Sequence, residues 1–227
     1  MTYGTPRLLK LAALPDRELR ALVASCSQIR RMRSSSPLPV VAPAGLLDAD
    51  RRCRHRQAVR TVVLLRHGKS SWSDSTLADI DRPLAPRGER ASRKLAKYIR
   101  RKRIQPALVL CSPSRRTRQT LEAVEASLGK RCAVEVVPQL YGASEQELLE
   151  QLRALPESIN SVMLIGHNPG LHSLALVLAS RGAHLPQLQE KFPTGALAML
   201  VVRSEGWAAL GPGAAELVDY VVPKELR

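Results

Sequence analysis

From residue 61 onward the chain alternates short apolar runs with longer stretches in which apolar residues recur every three or four positions. The short runs, at 61–65, 107–111, 133–137 and 161–165, are rich in β-branched residues and bounded by Gly, Pro, Ser or Asn, a pattern that predicts buried strands. The longer stretches, at 88–103, 114–128, 144–155 and 169–180, have the spacing of amphipathic helices. Strands and helices in this alternation predict an α/β fold: a three-layer sandwich with a mostly parallel central sheet and helices on both faces. Two further runs, 195–202 and 217–222, supply closing strands, and nothing in the chain repeats.

The first 60 residues have a different texture. They hold 12 basic and 4 acidic residues, with Arg30, Arg31 and Arg33 followed by a Ser/Pro/Ala stretch and then Arg51, Arg52, Arg54 and Arg56. Such a segment reads as a tail or linker, although Leu19, Leu22, Val23 and Cys26 are spaced for a helix at 16–27. The expected organisation is a basic, disordered or loosely helical extension over residues 1–58 and one catalytic-sized domain over 59–227. No apolar stretch reaches the roughly 20 residues that span a bilayer, and 8–14 is too short and broken for a secretory signal. A cytoplasmic protein is expected, with an organelle as the alternative if the Arg- and Ser-rich leader is a transit peptide. Cys26, Cys53, Cys111 and Cys132 form no CxxC pair and no Cys/His cluster, which predicts reduced thiols, no zinc site and no disulfide framework.

Charge raises a competing possibility. The 227 residues hold 35 Lys plus Arg against 20 Asp plus Glu, a net +15 that would suit a phosphate-rich partner. Only 3% of residues are aromatic, too few for the stacking platforms of single-strand binders, so a nucleic-acid partner is not favoured. Nine of the residues at 87–103 are basic against Glu89 alone, which reads as a solvated helix face or as a docking surface for an acidic phosphoprotein.

Open α/β sheets bind ligands beyond the carboxyl ends of their strands. Three such ends bear reactive groups: Arg66-His67-Gly68-Lys69-Ser70, Ser112-Pro113-Ser114-Arg115-Arg116 with Gln119-Thr120, and Gly166-His167-Asn168-Pro169-Gly170. Arginine forks suit phosphate oxygens, and imidazole serves as nucleophile or cationic donor, so the set describes a phosphoryl pocket. Several other signatures fail. A P-loop would need Gly at Val63, a cysteine-phosphatase loop would need Arg at Thr117, and a dinucleotide loop at Gly211-Pro212-Gly213 would need Gly at Glu216. Cys111 is then a buried strand end, and His67, His167, His172 and His184 have no metal-site spacing.

Together with Asp81-Arg82-Pro83-Leu84 through Gly88 and the ending from Trp207 to Leu226, these motifs occur in an order that resembles the histidine phosphatase superfamily, named for its RHG motif, and within it the SixA-like phosphohistidine phosphatases. The resemblance spans 61–226 and implies a phosphoglycerate mutase-like sandwich. It implies that His67 takes the phosphoryl group in a covalent intermediate, with Arg66, Arg116 and His167 around its oxygens and Gly68 and Ser70 as further substrate contacts. It implies a phosphorylated protein or small phosphorylated molecule as partner; no cofactor and no metal are expected, and of the oligomeric states, which the sequence leaves open, a monomer is favoured. Two positions depart from the family. Ser73 stands where relatives often place Asn, and 140–143 offers no carboxylate where alcohol-phosphate enzymes keep their acid. Asp79, Asp81 or no residue at all could serve as acid. A phosphoramidate leaving group needs an acid less than an alkoxide does, which favours phosphohistidine; a small-molecule phosphomonoesterase or mutase, and a basic binding module, are the alternatives.

Overall fold

A computed structural model describes residues 59–226 of the chain. The expected extension at 1–58, its helix at 16–27, Cys26 and Cys53 lie outside the described residues. Seven strands form one sheet: β1 (Arg60–Arg66), β2 (Leu108–Cys111), β3 (Ala133–Val136), β4 (Ser161–Gly166), β5 (Ala179–Arg181), β6 (Leu197–Val202) and β7 (Ala215–Val221), in the order β3-β2-β4-β1-β6-β7-β5. The helices are α1 (Pro86–Lys102), α2 (Arg115–Val124), α3 (Glu145–Arg153), α4 (Gly170–Leu178) and α5 (Leu185–Glu190).

The strand residues show why helices cover both faces. Along β1, Val62 and Leu64 join one apolar cluster while Val63 and Leu65 join another, because successive side chains point to opposite faces. The first cluster includes Leu148 and Leu152 of α3, Leu171, Leu174 and Leu178 of α4 and Leu188 of α5. The second includes Leu95 and Ile99 of α1 and Leu121 and Val124 of α2. Both faces of the sheet are therefore sealed, and the three-layer α/β sandwich stands.

The expectation of a mostly parallel sheet needs correcting: the sheet is mixed. Strands β3, β2, β4 and β1 run parallel, but β6 is antiparallel to both β1 and β7. The physical reason lies in the connection. Parallel neighbours need a crossover, usually a helix, and the 203–214 segment between β6 and β7 contains none. A second correction concerns β3, expected to be buried. It is the sheet edge, and all four of its residues are exposed. The helix expected over 169–180 stops at Leu178, where the chain turns into the three-residue strand β5 against β7. That strand is too short to show a period, and the pattern of apolar positions does not predict α5 after it.

Capping fixes the helices that matter to the site. Pro86 occupies the first turn of α1, and Arg100, Arg101 and Lys102 sit in its last turn, where the helix dipole favours cations. Ser144 and Glu147 form a reciprocal capping box at the start of α3. Among the described residues no helix is long and apolar enough to cross a membrane.

Candidate active site

Three neighbouring strands, β2, β4 and β1, end at one edge of the sheet, and each hands its next residues to the site. Register brings the ends level: Arg66 pairs with Gly166, and Cys111 with Ile165. His67 N donates to the Gly166 carbonyl, so the residues following β1 and β4 start from adjoining backbone. The rings of His67 and His167 consequently meet with centroids 5.0 Å apart.

Hydrogen bonds fix the tautomer of each ring. Nδ1 of His67 lies 2.6 Å from the Gly68 carbonyl oxygen. A carbonyl only accepts, so Nδ1 bears the proton and Nε2 keeps its lone pair. Nδ1 of His167 lies 3.4 Å from Arg116 Nη2, and its Nε2 lies 2.8 Å from Ser112 Oγ. A guanidinium only donates, so Nδ1 of His167 accepts and its Nε2 donates to Ser112. Both imidazoles are held neutral. Burial, with the neighbouring His167 ring and the charges of Arg116 and Arg66, pushes His67 down to about 3, against the opposing pull of the Gly68 carbonyl. Burial and the Arg116 charge push His167 down to about 4.

The two arginines are anchored differently. Arg66 uses Nη1 on the Phe192 carbonyl at 2.8 Å, while its buried Nε has no hydrogen-bond partner among the described residues. Asn168 donates to the same carbonyl at 2.9 Å. Arg116, 7% exposed, donates to the Asp79 carbonyl and, at 2.8 Å, to Asp79 Oδ2. Asp79 also accepts from Tyr141 Oη at 2.7 Å and from Arg82 at 2.8 Å. The Tyr141 hydroxyl and both guanidinium groups hold its carboxyl down at about 2.

The structure thus gathers Arg66, His67, Arg116 and His167. It does not bring Ser70 into hydrogen-bond contact with any of them, since Ser70 Oγ accepts from Arg82 Nη2 at 2.9 Å. The N–H of Gly68 is engaged by Thr120 Oγ1 at 3.1 Å. Of the two acid candidates, Asp79 touches Arg116 and Asp81 is exposed. Ser73 is exposed and bonded to Ser71. Arg115 and Arg118 are exposed on α2, as expected of flanking residues. Sequence reasoning gave no role to Ser112 or Thr120, although both lie in the motif that follows β2. The Tyr141 ring stands edge-on to His167 at 5.4 Å. Trp72 is 74% exposed and lies over Arg82, 3.2 Å from guanidinium carbon to ring centroid.

Two glycines let the backbone close around this edge. A Cβ on Gly88 would lie 2.2 Å from the Lys69 carbonyl oxygen, so only glycine lets α1 reach the loop after His67. A Cβ on Gly170 would lie 2.0 Å from the Ala143 oxygen, which ties α4 to the 141–144 segment. Cys111 is fully buried and its thiol is pushed up to about 12 by burial, leaving it inert as a nucleophile. No cluster of three or more His, Cys, Asp or Glu suited to a metal ion occurs among the described residues.

Comparison with known proteins identifies the family. Residues 62–162 match the histidine phosphatase superfamily (branch 1). An uncharacterized protein of Mycobacterium tuberculosis is 37% identical over 164 residues, covering 70% of this chain and all of the relative. Phosphohistidine phosphatase SixA of Escherichia coli is 34% identical over 110 residues, covering 48% of this chain and 67% of SixA. The structure of the protein histidine phosphatase SixA complexed with tungstate superposes with a TM-score of 0.60 at 27% identity, over 74% of this chain and 99% of that one. With its reactive residues at the ends of three adjoining strands and relatives of this kind along most of its described length, the chain belongs to the histidine phosphatase superfamily, a family of phosphatases, and is SixA-like within it.

Proposed function

We propose that this phosphatase hydrolyses phosphohistidine on proteins, through a phosphoryl group carried on His67 and without a metal ion. The observation that supports the reading best is the His67 ring itself: neutral, with Nδ1–H committed to the Gly68 carbonyl and Nε2 bearing the free electron pair. In the first step Nε2 attacks phosphorus, the P–N bond of the substrate breaks, and its electron pair returns to the substrate imidazole, which leaves neutral because its other nitrogen bears a proton. In the second, water attacks phosphorus and the bond to His67 Nε2 breaks. His67 departs as neutral imidazole, its Nδ1–H retained, and the water proton leaves with the phosphate. Arg66 and Arg116 offset the charge on the transferring oxygens.

Neither step calls for a carboxylic acid. Asp79, the carboxyl bound to Arg116, is ionised, and an alkoxide leaving group would find no proton there. This supports a phosphoramidate over a sugar phosphate. The deciding measurement is kcat/KM for a phosphohistidine protein beside a panel of sugar phosphates, with and without chelator. The expected result is a preference for the phosphoprotein unaffected by chelation, abolished in His67→Ala together with acid-labile labelling of the enzyme. A sugar phosphate favoured by about tenfold, or full turnover by His67→Ala, overturns the reading.

A further inference from the structure

A second polar feature adjoins the phosphoryl pocket and has no part in the chemistry above. It is a cleft of about 290 Å³ whose rim holds Lys69, Arg87, Arg90, Lys94 and Lys224, with no acidic residue in its lining. Its apolar lining, which we take as the floor, is Ala91, Pro193, Val222 and Pro223. Arg87, Arg90 and Lys94 recur at three and four along one face of α1, so the helix presents them together. None of the five cations forms an ion pair among the described residues; Lys94 alone has a hydrogen-bond partner there, the Leu226 carbonyl at 2.7 Å. Apart from Lys224, which feels the Glu190 carboxylate, these cations converge without a counter-charge in the cleft lining and repel one another, an arrangement that an anionic ligand relieves.

The cleft is joined to the pocket through backbone. Lys69 is two residues after His67, and its carbonyl accepts from Ala85 N at 2.8 Å at the head of α1. Thr194, also in the lining, precedes Gly195, whose N–H bonds the carbonyls of Arg66 and His67. A chain whose phosphorylated residue enters the pocket can therefore continue into the cleft. From Arg87 to Lys94 the helix advances roughly 10 Å, the length of about three residues of extended peptide.

We propose that the cleft receives an acidic stretch of the same phosphoprotein whose phosphohistidine is hydrolysed, its carboxylates on the α1 cations and an apolar side chain on the floor. This rests on the proposed function and extends it to how the partner is recognised. Nucleic acid, the other polyanion a basic surface could take, fits less well, because no aromatic residue lines the cleft to stack a base.

The test measures binding and turnover separately on the full chain. A fluorescent, unphosphorylated peptide with an acidic stretch is titrated against the native protein and against Arg87→Glu/Arg90→Glu, with a neutral peptide and a single-stranded oligonucleotide as comparisons. The native protein is expected to prefer the acidic peptide, with affinity falling as salt rises. The double variant, with an unchanged melting temperature, is expected to bind it roughly tenfold more weakly. Where the charge reversal lowers the melting temperature, Arg87→Ala/Arg90→Ala replaces it and must weaken binding in the same direction. On phosphohistidine peptides the variant should raise KM for acidic flanks and leave turnover of free phosphohistidine unchanged. Equal binding of acidic and neutral peptides, an oligonucleotide bound more tightly than the acidic peptide, or binding unchanged in both variants overturns the proposal. Because the binding arm contains no phosphohistidine, absence of turnover with acidic-peptide binding intact would refute the proposed reaction and still support the cleft.

Discussion

His67 and His167 hang from neighbouring parallel strands, their ring centroids 5.0 Å apart and their planes tilted by 56°. Two imidazoles this close in a buried, arginine-rich edge cannot both be charged without strong repulsion. Burial and the neighbouring guanidinium charges resolve the conflict by keeping both neutral, against the pull of the Gly68 carbonyl on His67. His67 is tied down at Nδ1 by Gly68 and His167 at both nitrogens, by Arg116 and Ser112, so the orientation of the pair is set by backbone, a guanidinium and a buried hydroxyl. A nucleophile prepared in this way stays reactive at acidities where an exposed histidine would be protonated.

The first prediction concerns pH. His67 and His167 are held at about 3 and about 4, below the usual 6.5 of an unfolded histidine, so the unfolded chain binds more protons across that interval. Stability is then fully present above about pH 6.5 and declines as pH falls toward 3, by an amount on the order of a few kcal/mol. Chemical denaturation at a series of pH values should show this loss. The kcat/KM of the still-folded enzyme should not show an acid limb near 6.5, since His67 is already neutral there. An acid limb centred near 6.5 would mean that His67 is protonated in the free enzyme.

A second prediction addresses the approach of α1 to the loop after His67. Alanine at position 88 would force its Cβ against the Lys69 carbonyl, a backbone atom that cannot rotate away. Gly88→Ala should cost on the order of 2–4 kcal/mol by thermal denaturation and, where folded, lower kcat by shifting the loop that presents His67. An unperturbed melting temperature would show that α1 and the loop separate without penalty.

Ser112 gives a third. It is fully buried, and its hydroxyl is the partner of His167 Nε2. Ser112→Ala leaves that N–H without a protein acceptor and frees the ring, which should lower kcat/KM by roughly tenfold, while His67→Ala is expected to abolish turnover altogether. A Ser112→Ala enzyme of native kcat/KM would show that His167 is positioned by Arg116 alone.

How much of the fold and site was legible in the sequence follows from the length over which each signal repeats. The strands β1, β2 and β4 are apolar on both faces, so their buried runs stand out, and the reactive residues follow them directly in the chain. The direction of β6 was not legible because apolar alternation is the same whichever way a strand runs. β5, three residues long, has no period to read. Within the site, the four residues Arg66, His67, Arg116 and His167 could be named from motifs. The partnership of Asp79 with Arg116 and Tyr141 could not, since it joins residues 37 and 62 positions apart, and neither Asp79 nor Tyr141 lies in a periodic element.

That partnership yields the last prediction, which separates two roles for Asp79. As a general acid it would have to be protonated near neutrality, yet with its carboxyl held at about 2 only about one molecule in 10⁵ is protonated at pH 7. As an anion on Arg116 it does something else: it occupies, from its place at 2.8 Å, a guanidinium that a phosphoryl group would also engage. Asp79→Asn removes the charge and keeps the shape. If Asp79 only balances Arg116, the variant should turn over a phosphohistidine substrate at within about threefold of the native kcat, and inorganic phosphate should inhibit it more strongly, because a neutral amide competes less well for Arg116. If Asp79 is the proton donor, kcat should fall by about 10² or more, most steeply for alcohol phosphates with poor leaving groups. A fall of that size on phosphohistidine itself would assign the missing acid to Asp79, and the preference for a phosphoramidate substrate would lose its chemical basis.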